Sequence, residues 1–279
     1  MSPCLAGIEL QARESSLPMA KTDVLKPHGF GKTSRRDNWW AQPLVTFLIL
    51  TGFIVYATWA AFQGKHYWVG HHYLSPFYSP EVWGDSPHAF LGPKPDWWPA
   101  FLPFSPALLI LPFPAFFRLT CYYYRGAYYK AFWADPPACS VSEPRKGYNS
   151  ENSWPMKFQN IHRYVLFFAI FFLAALWRDV WFAFQFPDGF GIGVGTLVIL
   201  INTVLLSFYT FSCHTLRYLV GGRRKCLSER PMQAACYSCV TGLNTKHMYF
   251  AWMSLFSVMF ADLYVRLVSM GVWSDLRIL

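Results

Sequence analysis

The sequence predicts an all-α integral membrane protein, a bundle of five transmembrane helices with a cytoplasmic N-terminus and a C-terminus outside. Three observations lead there. Of the 279 residues, 54% are hydrophobic and 20% aromatic, while only 14% are charged. A soluble domain usually carries about 25% charged residues. Five apolar segments each supply the ~20 helical residues that cross the hydrocarbon core. The basic residues between those segments fall almost entirely on one side.

The segments lie at about 43–63, 105–124, 160–186, 193–220 and 247–272. Pro112 and Pro114 fall in the second and should kink it, which a bundle tolerates because neighbouring helices satisfy the freed carbonyls. Residues 1–40 are polar, and the first apolar run starts too deep in the chain for a cleavable signal peptide. They form a cytoplasmic tail ahead of a transmembrane domain at 41–279. Lys and Arg number 17 in the tail and the connections at 125–157 and 217–246, against 3 in the connections at 64–104 and 187–192 and the C-terminal tail. That asymmetry sets the orientation. It also accounts for the net charge of +9 without nucleic acid: basic cytoplasmic loops suit anionic membrane lipid or a soluble partner docked on that face.

The outer connection at 64–104 holds Trp68, Trp83, Trp97 and Trp98, seven prolines and four histidines. It is too aromatic to float in water and too rich in proline for a helix. It should lie on the membrane as a lid with its Trp and Tyr at head-group level. Capping an outer pocket for quinone or lipid is the sharper alternative.

Gly191, Gly193 and Gly195 open the fourth span, where close helix packing explains them better than phosphate binding. Ionisable residues inside the spans are more telling, because they are costly there. Asp262 and Arg266, four apart on one face, should neutralise each other. Arg118 lies in the second span, and Arg178 and Asp179 lie toward the outer end of the third. Asp179 is also placed to handle quinone protons.

The strongest chemical signal is a set of Cys and His at one depth in the cytoplasmic leaflet: Cys121, Cys139, His162, Cys213 and His214. Two Cys with two His is the donor set of a Rieske [2Fe–2S] centre. Two His on facing helices would instead hold a b haem, through His162 and His214. Adjacent Cys213 and His214 point about 100° apart on a helix, and His214 is favoured, with Cys213 competing for one thiolate place. Arg118, Arg125, Arg163 and Arg217 surround the set and would stabilise thiolates or an anionic group. Cys226 with the Cys236–Cys239 pair is a rival site that only His247 or a partner could complete. An odd total of seven cysteines on the reducing side argues against a disulfide framework.

Three stretches carry a resemblance. They are Cys121-Tyr122-Tyr123-Tyr124-Arg125-Gly126-Ala127-Tyr128-Tyr129 followed by Asp135-Pro136-Pro137-Ala138-Cys139, then Asn160-Ile161-His162-Arg163-Tyr164, then Leu205 to His214 with Asp262 to Val268. Together they resemble the membrane-anchor subunit of actinobacterial-type succinate dehydrogenase, from roughly Asn38 to the C-terminus. The resemblance implies a multi-pass plasma-membrane subunit of the respiratory chain and tricarboxylic acid cycle. It implies flavoprotein and iron–sulfur subunits on the cytoplasmic face and electron delivery to a membrane quinone, menaquinone. Related anchors carry haem b. This form implies a Rieske-like [2Fe–2S] centre, carried over to Cys121, Cys139, His162 and His214. The compact Cys/His loops of soluble Rieske proteins are absent. Tyr124, Trp133, Arg163 and Arg217 are the candidates for a quinone pocket at the cytoplasmic end. The subunit would hold no succinate site of its own. A transporter or channel is the alternative of another class, but no internal repeat or pair of broken helices supports it.

Overall fold

The computed structural model describes residues 29–144, 156–222, 224 and 226–279. Helix α1 (Ala41–Gln63) is followed by the aromatic loop, which contains a short antiparallel hairpin of β1 (Trp68–Val69) and β2 (Tyr73–Leu74). Next come α2 (Pro106–Ile110), α3 (Pro112–Leu119) and α4 (Tyr122–Tyr128), and a π turn extends α4 to Trp133. A 3-10 turn at Met156–Ile161 leads into α5 (His162–Ala183). A second hairpin, β3 (Gln185–Phe186) with β4 (Gly189–Phe190), joins α5 to α6 (Val194–Phe211). The chain ends with α7 (His214–Val220), α8 (Pro231–Asn244) and α9 (His247–Ser269).

Among the described residues, four helices, α1, α5, α6 and α9, are long and apolar enough to cross a membrane, and α2–α4 make a fifth span only as a bent pair, at 83°. The bend is a correction to a helix kinked only at its prolines. Pro112 merely divides α2 from α3, whereas the turn falls at Thr120 and Cys121. Helix α6 is a complete span by itself, and after a break at Ser212 and Cys213 the chain continues as α7 from His214. Helix α6 packs along α5 and α9 at the centre. Helix α1 is peripheral and exposes Leu44, Leu48, Ile54 and Val55, the pattern of a lipid-facing helix.

The two ends of the bundle differ. At the basic end, residues 29–40 lie against the connection after α4, through Gly31 N–H to Ser142 O at 3.0 Å and Thr33 Oγ1 to Ser140 O at 2.7 Å. At the other end, the aromatic loop inserts into the bundle instead of lying on its surface, which corrects the lid expectation. Tyr73, Leu74, Phe77 and Tyr78 are buried, while Trp97 and Phe101 remain outside. Insertion succeeds because the hydroxyls find acceptors in the apolar interior. Tyr78 donates to Ala60 O at 2.7 Å, and Tyr73 donates to Asp275 Oδ2 at 2.7 Å. The glycines that open α6 make room chiefly for this loop rather than for a neighbouring helix: a Cβ on Gly195 would stand 2.6 Å from the Tyr73 ring and 3.1 Å from that of Tyr264 on α9.

Asp262 and Arg266 do pair, at 3.4 Å, with both side chains almost fully buried. Ser75 and Tyr56 also donate to Asp262, at 2.5 and 2.6 Å, and Arg266 donates to Lys65 O at 3.0 Å. This network ties α1, the loop and α9 together. Removing one partner strands a buried charge, so Asp262→Ala should cost about 3–5 kcal/mol, whereas Asp262→Leu combined with Arg266→Met recovers most of it. Thermal melting of the detergent-solubilised protein checks both variants.

Candidate functional site

The site is built on the two helix breaks. Cys121 (φ −68°, ψ 129°) and Cys213 (φ −61°, ψ 136°) are both extended, and each is the residue before a new helix, α4 or α7. Each follows a hydroxyl residue, Thr120 or Ser212. His162 opens α5 and His247 opens α9. The breaks and the histidines interlock crosswise. Thr120 Oγ1 lies 2.9 Å from His162 Nδ1, and the His162 Nε2 faces Cys213 Sγ at 3.1 Å. Ser212 Oγ lies 2.7 Å from His247 Nδ1, and the His247 Nε2 faces Cys121 Sγ at 3.4 Å. Each hydroxyl–cysteine pair therefore holds one imidazole by its Nδ1 and meets the Nε2 of the other.

Cys121, His162, Cys213 and His247 line one cavity of about 330 Å³, with Tyr122, Tyr123, His214, Asn244, Thr245 and Met248. They form two thiol–imidazole pairs. Among the described residues, no three His, Cys, Asp or Glu side chains converge closely enough to hold a single ion. Behind each imidazole lies an aromatic ring. Phe117 stacks on His162 at 4.5 Å between centroids, and Tyr209 stacks on His247 at 5.1 Å. Those same rings line a second, apolar cavity of about 150 Å³ in mid-bundle, with Phe53, Phe77, Ser79 and Arg118. One layer of rings thus separates the Cys/His cavity from the apolar one. Arg118 braces that layer: it donates to Tyr124 Oη at 2.6 Å and to Ser254 Oγ at 3.0 Å, with its guanidinium 4.7 Å over the Tyr209 ring.

The structure brings Cys121, His162 and Cys213 together and adds His247. Cys139 lies elsewhere: it is exposed, and its carbonyl accepts from Arg35 at 2.9 Å as part of the contact with the N-terminal segment. His214 lines the cavity but is exposed, and its ring stands edge-on to Tyr122 at 6.5 Å. The preference for His214 over Cys213 assumed a continuous helix through both, and the break at Ser212–Cys213 removes that premise. His247 was legible as a histidine opening the fifth span at the right depth, and the repeated hydroxyl–cysteine pair at two span ends marked the breaks. The quinone candidates are dispersed among different partners. Tyr124 is buried and donates to Ala251 O at 2.7 Å, Arg217 donates to Thr241 at 3.0 Å, and Trp133 and Arg163 are exposed. Cys236 and Cys239 are free and exposed on α8, and Cys226 is disulfide-bonded, so the rival set does not assemble.

Helix breaks around a cavity lined by two Cys and two His, backed by an aromatic layer and an apolar pocket, mark this chain as an all-α integral membrane protein. Residues 41–271 match the family described as actinobacterial succinate dehydrogenase subunit SdhC. The chain belongs to that family: it is a multi-pass membrane-anchor subunit of actinobacterial succinate dehydrogenase. It is also similar to a chain of the Mycobacterium smegmatis Sdh1 complex in the apo form, with 44% identity over 88% of this chain and 94% of that one and a TM-score of 0.82. No curated protein gives a match.

Burial separates the free thiols into two groups. A bulky maleimide should label Cys139, Cys236 and Cys239 rapidly in the folded protein, while Cys121 and Cys213 react only after denaturation. Mass mapping of the labelled peptides reads this directly.

Proposed function

We propose that this anchor carries a Rieske-like [2Fe–2S] centre held by Cys121, Cys213, His162 and His247, and that it passes electrons from an iron–sulfur subunit to a membrane quinone. One observation carries the reading: the crossed arrangement in which both imidazoles are fixed at Nδ1 by a hydroxyl and present Nε2 to a thiol across a shared cavity. Metal-bound histidines characteristically have the second ring nitrogen fixed in this way. Two thiolates with two imidazoles form the donor set of a Rieske centre. When bound, the cluster supplies one-electron transfer at a potential above that of an all-cysteine cluster. Thr120 and Ser212 orient the imidazoles and set their tautomers. Phe117 and Tyr209 exclude water from the site's inner wall. The haem alternative through His162 and His214 is the weaker reading, since His214 is exposed.

The quinone head group fits the apolar cavity behind Phe117 and Tyr209 better than the scattered set Tyr124, Trp133, Arg163 and Arg217. Apolar walls with a few polar groups, here Arg118, Ser79 and Thr210, are the usual character of such a pocket. The basic end faces the cytoplasm by its excess of Lys and Arg. The flavoprotein and iron–sulfur subunits dock there, as the Mycobacterium smegmatis relative's place in an Sdh complex supports.

The intact complex, reduced and examined by EPR, should give a Rieske-type signal that Cys213→Ser and His247→Ala each abolish together with quinone reduction. Cys139→Ser and His214→Gln should keep both. Loss of the hydroxyl in Thr120→Val should cost about 10–100-fold in activity or metal retention. A haem Soret band in place of the EPR signal would overturn the reading.

A further inference from the structure

The apolar cavity carries a polar group on the side away from the Cys/His cavity. Ser79, from the aromatic loop, lines it. Its hydroxyl donates to Asp179 Oδ2 on α5, and both residues are 2% exposed.

Of the three carboxylates buried at this end of the bundle, the two on helices, Asp262 and Asp179, are held differently. Asp262 is neutralised by Arg266 and receives the hydroxyls of Ser75 and Tyr56. Asp179 accepts one hydrogen bond among the described residues, from Ser79. Its nearest cation, Arg178, stands at 4.0 Å and is partly exposed, with its guanidinium over the rings of Phe90 and Phe182. Asp262 is thus held by an ion pair and two hydroxyls, whereas Asp179 has one hydroxyl and a partly exposed cation beside it.

Ionisable groups continue from Asp179 toward the loop-end surface. Glu81, fully buried, interacts electrostatically with Asp179 and accepts from Tyr67 Oη at 2.8 Å and from Ser86. A Cβ on Gly84 would collide with the Glu81 carboxylate, so the backbone leaves room for that group. His88 is 1% exposed, yet neither ring nitrogen has a hydrogen-bond partner among the described residues. Its ring lies 5.7 Å from that of Phe182, three residues past Asp179 on α5, and 5.8 Å from that of exposed His71. Two unpaired nitrogens on one buried ring are uncommon in native proteins. Burial pushes His88 down to about 4, so it is neutral at pH 7 and has a nitrogen lone pair to offer.

We propose that Ser79 and Asp179 form the inner end of a proton route through which the quinone in the apolar cavity takes its protons from the loop-end face. The inference rests on the reading of that cavity as the quinone site. Succinate oxidation by the partner subunits supplies the electron pair, which enters from the basic end. Asp179 gives a proton through the Ser79 hydroxyl to a quinone oxygen, and its carboxylate is reprotonated from water at the loop-end surface by way of Glu81, His88 and His71. A second such transfer completes the quinol. Electrons and protons then enter from opposite ends, so each turnover moves charge across the membrane.

The test uses the intact complex in liposomes of known orientation, with impermeant pH indicators in the two compartments, succinate, and a short-chain naphthoquinone. Protons should disappear from the loop-end compartment in step with quinone reduction. Asp179→Asn should slow quinone reduction by about 100-fold or more, the scale of lost general acid–base catalysis. Succinate oxidation by an artificial acceptor and the EPR signal should stay intact. Ser79→Ala should behave alike, with recovery in Ser79→Thr. Proton uptake from the basic-end compartment, or full quinone reduction in Asp179→Asn, overturns the inference while leaving the quinone site standing. A complex that reduces no quinone removes the site and the inference together. Should Asp179→Asn fail to assemble, the side of proton uptake in the unsubstituted complex decides.

Discussion

Two imidazoles, each gripped by the hydroxyl that precedes a cysteine, hold the basic half of this bundle together. A helix that breaks inside a membrane frees backbone groups that no water can satisfy, so a break is stable only beside protein or a polar cavity. Thr120 meets that requirement twice, bonding the carbonyl of Phe116 at 2.8 Å and the ring of His162. Ser212 does the same with the carbonyl of Tyr209 at 3.1 Å and the ring of His247. The same two atoms therefore stabilise the breaks and aim the histidines. The breaks in turn swing Cys121 and Cys213 off their helices and into the shared cavity.

The other half is organised around carboxylates instead of imidazoles. Tyr73, Ser75 and Ser79 carry the aromatic loop into the bundle, and each hydroxyl ends on an acid: Asp275, Asp262 and Asp179 respectively. A loop of this composition would otherwise lie flat at the interface. These acids convert it into a plug that forms one wall of the apolar cavity through Pro76, Phe77 and Ser79. Polar chemistry thus sits at both ends of the bundle, with a layer of aromatic rings and an apolar pocket between. That layout keeps water away from the middle of the molecule.

The spans were legible because hydropathy and length are properties of local sequence, and α1, α5 and α9 fall within a few residues of where composition places them. The pairing of Asp262 with Arg266 was legible because a spacing of four fixes a shared helical face. Cys121 and His162 could be placed at one depth by counting along helices. Cys139 was misplaced because a connection between spans carries no periodicity from which to compute depth, and its segment is drawn instead toward residues 31–35. His214 was preferred to Cys213 because a regular helix turns them apart, a rule that ends where the helix ends. His247 was read with the thiols nearest to it in sequence, whereas its partners, Cys121 and Ser212, lie 126 and 35 residues away.

By itself, the sequence determined that this chain crosses a membrane several times, which connections are basic, and that Cys and His gather toward one end. Those properties follow from the transfer free energy of side chains and from helical rise, both local quantities. The tertiary structure alone decided where two helices break, which two of the candidate thiols and which histidines face one another, and that the aromatic loop enters the bundle. Each of those outcomes depends on a buried polar group finding its partner across a long stretch of chain. A hydrogen bond between residues more than a hundred positions apart leaves no period in the sequence that joins them.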